Sequence, residues 1–230
     1  MEESEKSDFI FKDWNNIKTQ DSWQIFKIMS EFVEGFERLS KIGPCVSIFG
    51  SARTKPDHKY YKLAEEVASK IVNHGYGVIT GGGPGIMEAA NRGASEVPGG
   101  RSVGLGISLP FEENFNPYIS DGLGFEFHYF FTRKYWFLYL CKAMVICPGG
   151  FGTLDELFET LTLRQTGKIT KPLPTVLFGK KYWDSIFNLD VMAEWGTISP
   201  DDLDLFLITD SIDEAFDFIT RGLIDMENNS

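Results

Sequence analysis

From residue 45 onward, short unbroken apolar runs alternate with longer stretches in which apolar residues recur every three or four positions. CVSIFGSA (45–52), YGVITGGGPGIM (76–87), SVGLGISL (102–109), GFEFHYFF (124–131), AMVICPGG (143–150), PTVLFGK (174–180) and LFLITD (205–210) are runs of the first kind. They are too short for helices and each predicts a strand. Helices are predicted between them over 58–73, where Leu63, Val67 and Ile71 share a face, then from about Pro84, and over 132–142, 153–166 and 181–193. Proline suits a first helical position, and Ser211 with Glu214 makes a capping-box pattern for the last helix. Upstream, residues 20–40 carry Phe26, Met29, Phe32, Val33, Phe36 and Leu39 at helical spacing. That amphipathic helix is expected to pack on the domain or on a partner subunit, behind a polar segment at 1–19.

Strands that read apolar on both faces and alternate with helices predict a parallel sheet covered on both sides. The expected fold is α/β: one Rossmann-like domain over 20–230, with a sheet of about seven strands. Such sheets bind ligands at the carboxyl ends of their strands. Gly50-Ser51, Gly81-Gly82-Gly83 and Gly149-Gly150-Phe151-Gly152 all fall at such ends, so three loops on one rim are expected to share a pocket.

Composition narrows the chemistry. The net charge of −11 argues against nucleic acid and membrane surfaces as partners. Residues 201–230 carry −8 of it, leaving −3 for the rest, so the middle of the chain can host an anion site. There is no apolar run long enough for a transmembrane helix and no signal-peptide core at the start. Cys45, Cys141 and Cys147 suggest neither a disulfide framework nor zinc-ligand spacing. A reducing, cytoplasmic setting without metal is expected.

The glycine loops do not fit the common nucleotide motifs. Read as G-x-G-x-x-G, the sixth position is Ile86 from Gly81 and Asp155 from Gly150, and no Walker A pattern occurs. The physics of anion binding still applies, because glycines admit close approach and a helix start offers unpaired N–H groups with partial positive charge. Gly149, Gly150, Gly152 and the Thr153 hydroxyl supply such a cradle. The competing reading makes Thr153 an N-cap and Glu156, in the first turn, the closing residue of a capping box. For the 81–85 loop, ligand contact competes with a tight turn.

FFTRKYWFLYL (130–140) raises a second question. With Thr132 as N-cap, Arg133 and Lys134 enter the first helical turn, where the helix dipole disfavours cations by a few tenths of a kcal/mol. A bound anion would remove the tension; a solvated or ion-paired surface pair is the alternative.

Pro148-Gly149-Gly150-Phe151-Gly152-Thr153-Leu154-Asp155-Glu156 fits P-G-G-x-G-T-x-x-E. With Gly81 to Met87 and Arg133-Lys134, it resembles the Lonely Guy (LOG) family of nucleoside 5′-monophosphate phosphoribohydrolases, proteins often mislabelled lysine decarboxylases. The resemblance covers roughly residues 45–190, and the extra N-terminal helix is similar to that of the larger subgroup. It implies cleavage of the N-glycosidic bond of AMP or an N6-substituted AMP, a reaction that activates cytokinins, with no cofactor. It implies Arg133 and Glu156 as catalytic residues and Gly149, Gly150, Gly152 and Thr153 as the phosphate loop. Further substrate contacts would be Lys134, Thr162, Glu112, Gly50, Ser51, Gly82, Gly83 and Met87. The family pocket is commonly completed by a second subunit, so a homo-oligomer is implied, with a dimer as unit and a hexamer as a higher form. Two departures stand out: Phe130-Phe131-Thr132 replaces the usual Met-His run before the Arg-Lys pair, and Ile86 stands where Leu is usual.

On this reading the phosphate sits on the helix start and C1′ of the ribose lies near Glu156. Cleavage builds positive charge on the sugar, as in glycoside hydrolysis. A carboxylate stabilises that charge or activates water. Arg133, with a pKa above about 12, is no general acid; it is expected to hold Glu156 ionised and orient substrate. The alternative from another class is a nucleotide sensor or cofactor carrier with the same fold and no chemistry, and a carboxylate beside a phosphate argues against it. Lysine decarboxylation is poorly supported, since no lysine stands in a context suited to a pyridoxal Schiff base. His58, His74 and His128 are not expected to act.

Overall fold

The structure, a computed structural model, describes residues 23–108 and 115–228. The polar segment at 1–19 and Glu112 lie outside those residues. The chain divides into two units, the first ending at Lys41 and the second starting at Ile42. In the first, residues 23–38 form helix α1.

The second unit is built on seven parallel strands: β1 (Cys45–Phe49), β2 (Gly77–Thr80), β3 (Ser102–Ile107), β4 (Gly124–Phe127), β5 (Cys141–Ile146), β6 (Thr175–Phe178) and β7 (Leu207–Thr209). Their order is β4-β3-β2-β1-β5-β6-β7. Every strand expected from the apolar runs is present, with ends trimmed where the run continues into a loop or helix. The chain builds outward from β1 to β4, then crosses back to place β5 on the other side of β1. The order reverses there, and a crevice opens at the carboxyl ends of β1 and β5. Loop 50–54 follows β1 and the glycine loop follows β5, so both reach that crevice by topology alone.

Strand alternation divides the core. Val46, Ile48, Ala143, Val145 and Cys147 point into one layer with α2 (Lys59–Asn73), α3 (Ile86–Ser95) and α8 (Ile212–Asn228). Phe49 and Met144 point the other way. Phe49 packs 4.8 Å from Phe137 of α4 (Phe130–Leu140), and Thr160 of α5 (Phe151–Gln165) donates to the Met144 sulfur. The layers pack closely. A Cβ on Gly93 of α3 would lie 2.0 Å from the Glu65 carbonyl oxygen of α2. Gly93→Ala is therefore expected to destabilise the protein by about 1–3 kcal/mol, read as a lower urea midpoint, despite alanine's better helix propensity.

Some boundaries differ from expectation. The stretch 181–193 is two helices, α6 (Lys180–Ile186) and α7 (Leu189–Glu194), because Asn188 caps a new start by accepting from the Val191 N–H. α3 begins at Ile86 behind Gly85 at φ 69°, so Pro84 precedes the helix. Ser211 accepts from the Glu214 N–H, but the Glu214 carboxylate turns to the Thr209 hydroxyl, and the capping box is half formed. Among the described residues no helix is long and apolar enough to cross a membrane.

Candidate functional site

A cavity of about 730 Å³ opens at the β1/β5 crevice. Of the residues expected in the site, Gly50, Ser51, Met87, Arg133, Gly149, Gly150, Gly152, Thr153 and Glu156 line it. The rim loops hold each other in place: the Ser51 N–H donates to the Pro148 carbonyl, and the Ile86 N–H donates to the Ser51 carbonyl.

The two glycine-rich loops turn out differently. In 149–153 the first glycine is structural, since a Cβ on Gly149 would meet the Thr153 hydroxyl oxygen at 2.1 Å. Gly150 and Gly152 face open space, and a Cβ at either would meet nothing within 4 Å. α5 starts at Phe151 with Gly150 as N-cap, and no side chain caps it. An uncapped helix start beside open glycines is an anion cradle. The Tyr182 hydroxyl of α6 donates to the Gly149 carbonyl and pins the loop.

In 81–85, Gly82 and Gly85 serve the fold. A Cβ on Gly82 would run into the Phe115 ring at 2.3 Å, and one on Gly85 would meet the Ser51 carbonyl oxygen at 2.4 Å. The Asn116 amide donates to the Gly82 and Gly83 carbonyls and to Asn91, which the Thr80 hydroxyl also reaches. Gly82 and Gly83 are thus committed to this buried network, and Gly81 is the glycine of this loop that reaches the cavity. Glycine density alone did not distinguish packing against the chain's own Phe115 from approach of a ligand.

The capping-box reading of Thr153 and Glu156 is overturned. The helix starts two residues before Thr153, which puts Glu156 in the second turn, buried at 4% exposure. α4 likewise starts at Phe130, so Thr132 is its third residue and donates to the Tyr129 carbonyl. Arg133 and Lys134 therefore lie beyond the N-terminal residues of the helix. The Arg133 guanidinium lies 5.2 Å from the Phe130 ring centre and 5.8 Å from that of Phe137, with Nη2 3.9 Å from Glu156 Oε1.

At that separation Arg133 only partly offsets the cost of burying an ionised Glu156. Burial dominates and raises the Glu156 carboxyl from 4.5 to about 7; Arg133 and then Lys134 oppose it, while Glu159 and Asp155 reinforce it. The expectation of a fixed carboxylate fails because desolvation exceeds a long ion pair. The result suits proton transfer at neutral pH, where both forms of the group are populated.

Lys134 is not among the cavity-lining residues. Its ammonium lies 2.9 Å from Asp155 Oδ1 and 3.0 Å from Glu159 Oε2, which fits the ion-paired alternative. Thr162 is exposed and donates to the Phe158 carbonyl, away from the cavity. Sequence reasoning missed Arg53, Phe137 and Tyr182, which also line the cavity. Arg53 had a signal, a cation two residues beyond the Gly50-Ser51 strand end. Tyr182 had none, since its place depends on how α6 folds back. His58 and His74 cap the two ends of α2 and neither lines this cavity, although His58 shares a neighbouring hollow with Ser51 and Arg53. Among the described residues no group of three or more His, Cys, Asp or Glu could hold a metal ion.

A family model described as possible lysine decarboxylase matches residues 87–219. The chain is 27% identical over 166 residues to the cytokinin riboside 5′-monophosphate phosphoribohydrolase of Mycobacterium tuberculosis, covering 70% of this chain and 86% of that protein. It is 30% identical over 162 residues to the Arabidopsis thaliana protein of that name called LOG1, covering 68% of this chain and 72% of that one. Among solved structures, the molybdenum cofactor carrier protein of Chlamydomonas reinhardtii superposes with a TM-score of 0.58 at 19% identity, covering 79% of this chain and 99% of that one. At that identity the likeness is one of fold.

Proposed function

We propose, from the premise that this chain belongs to the family described as possible lysine decarboxylase, that it hydrolyses the N-glycosidic bond of a purine nucleoside 5′-monophosphate. The substrate would be AMP or an N6-substituted AMP, as the names of the relatives suggest, and the products the free base and ribose 5-phosphate. The observation that carries the reading is Glu156, a buried carboxyl with Arg133 beside it, in the cavity onto which the uncapped start of α5 opens. The phosphate sits on the N–H groups of 150–153. Ionised Glu156 takes a proton from water as the water oxygen bonds to C1′. The C1′–N electron pair leaves with the base, whose nitrogen takes up one proton from solvent, and Glu156 gives the proton it took back to solvent. Arg133 orients the nucleotide. Among the described cavity residues there is no lysine, which disfavours a Schiff-base decarboxylase.

The working unit is inferred to be a homo-oligomer built from a dimer. Phe131, Tyr135 and Tyr139 make an exposed aromatic stripe along α4, which a second subunit would cover. The apolar positions of α1, including Phe26, Met29 and Val33, are assigned to the core or to a partner. Three buried, unpaired cysteines fit a reducing cytoplasmic setting.

The test is incubation of pure protein with AMP, GMP, CMP, UMP, isopentenyl-AMP and adenosine, followed by chromatography for free base. Release of adenine from AMP and not from adenosine is expected. No release from any of them, with AMP binding intact by calorimetry, would favour a nucleotide sensor or carrier instead.

A further inference from the structure

Lys134 follows the arginine assigned to catalysis, yet it does not line the cavity. It comes from α4 and is held between Asp155 and Glu159, one turn apart on α5, at 2.9 and 3.0 Å. Those two carboxylates flank Glu156 in sequence. One cation on the arginine's helix therefore grips the helix of the glutamate on both sides of it. Its side chain is 15% exposed, against 56% for Asp155 and 32% for Glu159, so the cation is largely buried while its partners reach solvent. Its proton is firmly held: burial pulls the pKa down, and the two carboxylates more than offset it.

We infer that Lys134 is a positioning residue that sets the separation of Arg133 and Glu156 through Asp155 and Glu159, and does not contact the substrate phosphate. The inference rests on the phosphoribohydrolase reading and removes one residue from its list of substrate contacts. The reason is geometric. Arg133 and Glu156 sit on different helices, and their 3.9 Å gap is not closed by a short bond of its own. Any sliding of α4 on α5 would alter that gap directly. Among the described residues, the charges around Glu156 are Arg133 and Lys134 from α4 and Asp155 and Glu159 from α5, with Arg53 of the β1 loop and the Tyr182 hydroxyl on the cavity wall.

The experiment compares wild type, Lys134→Met, Lys134→Arg and the double variant Asp155→Asn/Glu159→Gln for release of adenine from AMP across pH. Melting temperatures confirm that each is folded. Wild-type turnover tests the underlying reading by itself, so its absence would be told apart from failure of the inference. Lys134→Met is expected to lower kcat by about 10- to 100-fold with KM for AMP within about twofold, since small misplacement of reacting groups costs rate. The double variant should reproduce that loss, and Lys134→Arg should recover part of it. The pH limb of kcat/KM should move in opposite directions: upward in Lys134→Met, where a neighbouring cation is lost, and downward in the double variant, where two anions are lost. A KM raised tenfold or more in Lys134→Met with kcat unchanged would make Lys134 a substrate contact and overturn the inference. So would a full rate in the double variant, or unchanged kcat in Lys134→Met.

Discussion

Glu156→Gln is expected to lower turnover of AMP by about 10²–10⁴-fold, the range removed with a general base, while nucleotide affinity changes little. The amide keeps the size and polarity of the carboxyl but can neither accept a proton from water nor offset charge on the ribose. Two further effects follow from the burial that raises Glu156 from 4.5 to about 7. In the wild type, kcat/KM should rise with pH through about 7 as the carboxyl ionises, and this limb should vanish in the variant. Stability should move the opposite way. A carboxyl whose pKa is higher in the folded state favours folding least when ionised. The penalty is absent below 4.5, grows as pH rises between 4.5 and about 7, and is complete above. A shift of that size corresponds to about 2–4 kcal/mol. The variant should therefore melt several degrees higher than wild type at pH 8 and gain little at pH 4.5. An inactive variant with no gain in stability would mean that Glu156 is not a desolvated group in the folded protein.

Much of the architecture was legible in the sequence because its signals are local. Runs such as CVSIF and TVLF are buried on both faces, and an unbroken apolar run of that length admits little else between turn residues. The rim followed from the glycines after β1 and β5. Helix starts were less legible. Thr132 and Thr153 are good cap residues by type, but α4 begins at Phe130 and α5 at Phe151. In α5 the true cap is a glycine, which leaves its N–H groups without a side-chain partner. A functional helix start of this kind breaks the capping rule that would have located it.

The candidate site was legible as a set of residue types and not as a set of roles. Glu156 and Arg133 were expected together and lie together. That Glu156 resists ionisation depends on how completely it is buried, which no spacing reports. Gly82 and Gly83 looked like ligand-facing glycines until Phe115, more than thirty positions away, filled the space against Gly82. Lys134 faces two carboxylates that lie one turn apart on the next helix. Each of these depends on contacts distant in sequence.

The phosphate loop yields the second large effect, through a contrast between neighbouring glycines. Gly149→Ala would place a methyl group 2.1 Å from the Thr153 hydroxyl oxygen and 2.6 Å from its Cβ. Thr153 is buried and short, so the clash cannot be relieved by a side-chain swing, and the loop must move. Stability is expected to fall by about 1–3 kcal/mol. Displacement of the cradle should also lower kcat/KM for AMP by about 10²-fold, as for other misplacements near 1 Å. Gly152→Ala should separate the two effects. Its methyl meets nothing within 4 Å and it lies inside α5, where alanine is favoured over glycine by about 0.5–1 kcal/mol. The protein should be as stable as wild type or more so. If the phosphate rests on this loop, the added methyl nevertheless intrudes on the anion, and KM for AMP should rise at least about tenfold, a loss of one good hydrogen bond. Unchanged KM in a stable Gly152→Ala protein would move the phosphate away from the start of α5, and with it the placement of C1′ beside Glu156.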